Sequence, residues 1–113
     1  MLRIRNEQMM IFEAERRRLF EERAVRYLRE LPSASGEPEA ALRRVVGGAW
    51  DKGERHGLRN EHDVLQLVGI CHIFGVDFDA HPDRPWAREV LDHPRMSAAS
   101  KMRVLWARLR EEA

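Results

Sequence analysis

The stretch from Gly57 to Gly75 restricts the fold of this chain more than any other. Asn60 can cap a helix start, Asp63 puts a carboxylate in the first turn where free amides need one, and Gly75 stands where the helix has to stop. Between these markers, Val64, Leu65, Leu67, Val68, Ile70, Cys71, Ile73 and Phe74 make the segment apolar on nearly every face. Such a helix belongs at the centre of a domain, with other helices packed around it. Val64, Leu67, Val68 and Cys71 are the expected core positions.

The remaining sequence supplies those other helices and almost no strand pattern. Asn6 can start a long first helix in which Met9, Phe12, Leu19, Phe20, Tyr27, Leu28 and Leu31 keep near-helical spacing until Pro32. Glu13 with Arg17 and Glu22 with Arg26 are i,i+4 pairs in the favourable order, each expected to add about 0.3 kcal/mol. The small residues and prolines of Pro32–Pro38 read as a turn between packed helices. A second helix follows from about Glu39 to His56, with Leu42, Val45, Val46, Ala49 and Trp50 on one face and Gly57 as a left-handed cap. Within it, Gly47 and Gly48 each cost about 1 kcal/mol of helix propensity, which points to close packing of another backbone. Pro85 suits the first turn of a short fourth helix carrying Trp86, Val90 and Leu91, and Ser97 can cap a last helix with Met102, Leu105, Trp106 and Leu109 on one face. The expected fold is therefore all-α, a compact bundle of about five helices with a long N-terminal helix, forming one domain over residues 1–113.

Composition sets the functional limits. A chain of 113 residues, 43% hydrophobic, can bury one modest core without metals or disulfides. Its 20 basic residues nearly cancel 19 acidic ones, so no global field favours nucleic acid or an acidic membrane. Only Lys52 and Lys101 among the basic residues are lysines. The single Cys71 excludes an internal disulfide and reads as a small core residue in a reducing compartment. The charged segment Met1–Glu7 is unlike a signal peptide, and no run approaches the roughly 18 apolar residues of a membrane span. These features together lead to an expected cytoplasmic location with no membrane partner.

Candidate chemistry fails on spacing. Asp77-x-Asp79-x-His81-x-Asp83 alternates like a calcium loop, but Pro82 replaces the required glycine and Arg88 the closing glutamate. Asp79 and Asp83 are instead expected to cap turns and hold the Pro85-Trp86 helix start. His56, His62, Cys71, His72 and His81 can bind zinc by type but not by spacing, and the adjacent Cys71 and His72 point about 100° apart on a helix. No enzyme activity, metal or cofactor is expected. The second and third helices, joined by Gly57-Leu58-Arg59-Asn60, outline a helix-turn-helix, which makes a nucleic-acid-binding regulator the alternative reading. Against it, Glu61 and Asp63 put carboxylates where phosphates would lie. Arg16-Arg17-Arg18 is flanked by Glu13, Glu15, Glu21 and Glu22 and reads as a solvated face.

A first helix of about 25 residues would be about 38 Å long, more than a globule of this size spans. Its early turns are therefore expected to overhang and offer a contact surface. The partner-binding residues expected on these grounds are Met9, Met10 and Arg16 on that helix, with Asp79, His81 and Arg84 on a rigid polar loop.

The ordered set Ile4-Arg5-x-x-Gln8, Gly57-Leu58-x-x-Glu61-x-Asp63-Val64, Gly75-x-x-Phe78-Asp79 and Pro85-Trp86-Ala87 resembles a group of small helical bacterial proteins encoded beside type VI secretion spike, tip-repeat and toxin genes. That resemblance implies a non-enzymatic protein partner of a secreted effector, toxin or spike component, acting as chaperone, adaptor or immunity protein.

Overall fold

The computed structural model describes the backbone of residues 6–112 and the side chains of residues 13–112. Five α-helices follow in order: α1 (Asn6–Arg29), α2 (Glu39–Arg55), α3 (Glu61–Phe74), α4 (Pro85–Leu91) and α5 (Ala98–Glu112), with short 3₁₀ turns at Pro32–Ala34 and Phe78–Ala80. No strand occurs among the described residues, so the all-α expectation holds. None of the described helices is long and apolar enough to cross a membrane.

α3 is the central element. Val64, Leu67, Val68, Gly69, Ile70 and Cys71 are all buried in it, and α1, α2 and α5 all pack against it. Its ends are those that local chemistry requires. The Asn60 side chain accepts a hydrogen bond from the His62 amide at 2.8 Å. Gly57 and Gly75 adopt φ of +76° and +95°, a region an L side chain enters only with strain. Ser97 caps α5 by accepting from the Ser100 amide at 3.1 Å, and Pro85 occupies the first turn of α4.

Several local expectations need correction. Leu19 is 40% exposed and Ile73 53%, although both fit an apolar pattern. The ion pairs described on α1 are not the Glu13–Arg17 and Glu22–Arg26 pairs expected. Arg17 pairs with Glu21 at 2.9 Å and with Asp51 of α2 at 3.0 Å, while Arg18 bridges Glu15 and Glu22. Arg17 turns from Glu13 because Asp51 and the Trp50 ring, 5.9 Å from its guanidinium carbon, lie on the α2 side. Gly48 does allow a close approach, but of a side chain: a Cβ there would lie 2.9 Å from Cγ1 of Val76. Neither Asp79 nor Asp83 caps α4, whose N-cap residue Arg84 makes no side-chain cap.

Both lysines are buried. Lys52, in the last turn of α2, forms an ion pair with Asp79 of the second 3₁₀ turn, each side chain only 5% exposed. Lys101 of α5 donates to the Leu91 carbonyl at 2.6 Å, which satisfies a carbonyl at the C-terminal end of α4. These two contacts fasten the loop after α3 and the end of α4 to the body. A thin, flexible stem ending in a compact ammonium fits such narrow sites better than a planar guanidinium.

Candidate functional site

The molecule measures 52 × 38 × 20 Å with a radius of gyration of 15.2 Å, against about 13 Å for a compact chain of this length. In α1, Phe20, Ala24, Val25 and Leu28 are buried, whereas none of residues 13–19 is. Among its described side chains, the helix is anchored from Phe20 onward. Phe20 packs against Trp50 with ring centroids 5.1 Å apart, and Arg23 pairs with Glu61 at 2.9 Å.

Where α1 leaves the core, it borders a recess of about 530 Å³ whose lining includes Glu13, Arg16, Trp50, Leu58, Arg59 and Val64. Leu58 and Val64 are buried residues that reach this recess, and Trp50 is half-buried beside them. Arg16 and Arg59 are exposed and form no ion pair among the described residues. The site thus combines an apolar floor, an indole wall and the Arg16 and Arg59 guanidinium groups with the carboxylates of Glu13, Glu54 and Glu61, and the indole and guanidinium groups are of the types that dominate binding energy at protein interfaces. Sequence reading singled out Arg16 but missed Trp50 and Arg59, which it had assigned to a core face and a turn. Met9 and Met10 lie outside the residues whose side chains are described.

The polar loop is used differently from the expectation. Asp79 is internal, and its carboxylate is occupied by Lys52, so it offers no direct contact surface. Arg84 is also mostly enclosed, pairing with Glu112 of α5 at 2.9 Å, with its guanidinium carbon 5.5 Å from the centre of the Phe74 ring. It ties the loop to α3 and α5. Of the three expected loop contacts only His81 is exposed, and its Nδ1 accepts from the Asp83 amide at 3.1 Å.

Asp79 does line a second recess of about 340 Å³, together with Lys52, Arg55, His56, Arg88 and Asp92. His56 Nδ1 lies 3.1 Å from Asp92 Oδ1, which joins the C-terminal end of α2 to that of α4. Burial holds this imidazole below its ordinary value near 6.5, and the proximity of Lys52 and Lys101 adds to the effect, outweighing the opposite pull of Asp92 and Asp79. Lys52 and Asp79 neutralise each other in this recess. Burial pushes the Cys71 thiol up to about 12, so it has no nucleophilic character near neutral pH. Among the described residues, no group of three or more His, Cys, Asp or Glu side chains is placed to hold a metal ion.

Comparison with protein-family models, curated proteins and solved structures finds no match.

Proposed function

We propose that this protein is a non-enzymatic protein-binding module, and that its partner is a secreted effector, toxin or spike component of a type VI secretion system. The observation that carries the binding reading is the change along α1, where among the described side chains the buried positions begin at Phe20 and the turn holding Glu13 and Arg16 borders a recess with an apolar floor and two exposed arginines. The partner class rests on the motif resemblance and includes chaperone, adaptor and immunity roles.

The helix-turn-helix alternative is less favoured by the same fold. α3 would have to enter a groove, yet its middle is enclosed and its exposed residues are His62 and Ile73. A groove-reading helix needs a long polar face with cationic surroundings.

Co-expression with the secreted effector encoded nearest the gene, followed by calorimetric titration of the purified components, tests the proposal. A stable complex is expected, with Arg16→Glu weakening it by more than about 1 kcal/mol while the far-ultraviolet spectrum is unchanged. Duplex DNA should not compete at physiological salt. Sequence-specific DNA binding without any protein complex would overturn the proposal.

A further inference from the structure

A third recess, of about 430 Å³, lies between the start of α3 and the face of α5, lined in part by Asp63, Gln66, Met102, Arg103, Trp106 and Arg110. Arg103, Trp106 and Arg110 follow one another at i, i+3 and i+7 and so share one face of α5. Both arginines are exposed and form no ion pair among the described residues, and the Arg110 guanidinium carbon lies 5.9 Å from the Trp106 ring centre. The Trp106 ring is half-buried and packs on α3 so closely that a Cβ at Gly69 would be 3.1 Å from its Cζ2. Its Nε1 is buried and, among the described residues, finds no hydrogen-bond acceptor. His72 Nδ1 is also buried without a partner, but Nε2 of the same ring lies 3.0 Å from Glu37 Oε1, and a neutral imidazole that donates there keeps only a lone pair at Nδ1. An indole N–H has no such alternative, because it can only donate. Asp63, the acid in this lining, is only 9% exposed and sits in the first turn of α3, where the free amides of the helix offset its charge. The charge that the recess shows to solvent is therefore that of its arginines.

From this arrangement we infer that the α3–α5 recess receives an acidic side chain, aspartate or glutamate, from the protein partner, with Arg110 and Arg103 as its counter-charges. The carboxylate seats beside the Trp106 ring, where the Arg110 guanidinium already lies, and a small turn of the half-buried ring lets it accept from the indole N–H. The two exposed guanidinium groups also steer the encounter and disfavour a basic residue at the same point. This contact rests on the protein-binding reading above and names the chemistry of one anchor point.

Nuclear magnetic resonance titration of the full ¹⁵N-labelled chain at fixed ionic strength tests the inference directly, with N-acetyl-glutamate α-amide as probe and N-acetyl-glutamine amide as its uncharged isostere. The glutamate probe should shift the Trp106 indole and Arg110 Nε signals saturably, with the glutamine probe at least about tenfold weaker. The double variant Arg103→Gln, Arg110→Gln changes only exposed side chains and should remove that discrimination. Equal binding of the two probes by the wild-type chain, or no saturable shift with either, would overturn the inference. So would largest shifts around Trp50 and Arg59, or a double variant that still discriminates. In the effector complex, Arg110→Glu should weaken binding about tenfold with the far-ultraviolet spectrum unchanged. Unchanged affinity of Arg110→Glu for an effector whose binding is still sensitive to Arg16→Glu would remove this recess and leave the binding function standing. A full probe response without any effector complex would do the reverse.

Discussion

Lys52 and Asp79 form an ion pair inside the protein, joining the last turn of α2 to the 3₁₀ turn after α3 across 27 residues of sequence. The Lys52 ammonium also lies 5.5 Å from the centre of the Phe78 ring, which is itself buried. Removing either partner leaves a charge without compensation in a largely buried site. Asp79→Ala or Lys52→Met should therefore lower unfolding stability by about 3 to 5 kcal/mol. The double replacement Lys52→Met with Asp79→Leu should cost much less than the sum, because it removes the charge together with its counter-charge. Urea denaturation of the variants measures both effects. Strictly additive losses would contradict direct pairing.

Adjacent glycines on α2 give opposite expectations. At Gly47 an added methyl would meet only an Arg17 nitrogen, at 3.5 Å, so Gly47→Ala should raise stability by up to about 1 kcal/mol through helix propensity. At Gly48 the same methyl would lie 2.9 Å and 3.0 Å from the two methyls of Val76, a short, stiff side chain that cannot swing aside. Gly48→Ala should destabilise by about 1 to 3 kcal/mol, and adding Val76→Ala should recover most of the loss. Melting temperatures of the three variants decide it, and a stabilised Gly48→Ala would show that Val76 is not packed as described.

These cases mark the boundary between what was legible in the sequence and what was not. Caps at Asn60 and Ser97, glycine stops at Gly57 and Gly75, and the nearly all-apolar α3 are local signals, each decided by residues within one or two turns. They gave the helices and the centre of the core. Pairings such as Lys52 with Asp79 and Arg84 with Glu112 join distant parts of the chain, and nothing in local spacing specifies them. One compositional signal did point toward the buried cations. In a chain that uses arginine almost everywhere, the two lysines are, among the described residues, the lysine or arginine side chains taken into the interior. For the candidate site, Arg16 was legible as an exposed charge, whereas the recess beside it depends on how the α2–α3 turn docks against α1.

His56 makes stability depend on pH. Its folded-state value is depressed by burial, so in the window just below the ordinary value near 6.5 the unfolded chain binds a proton that the folded chain does not. Unfolding is then favoured, and His56's contribution to stability is full above about pH 7 and is lost as pH falls through 6.5 toward the lower folded value. Urea midpoints at pH 7.5 and 5.5, compared between wild type and His56→Asn, isolate this contribution. The difference between the two pH values should shrink in the variant. An unchanged difference would assign the effect to other groups.

Amide hydrogen exchange of the free protein and of its effector complex tests most directly the central claim that the chain binds a protein through the early turns of α1 and the recess beside them. Protection on binding is expected along Glu13–Leu19 and across Gly57–Glu61, the two segments that flank Arg16 and Arg59. A complex that protects α4 and the Asp77–Arg84 loop while leaving those two segments unchanged would contradict the account.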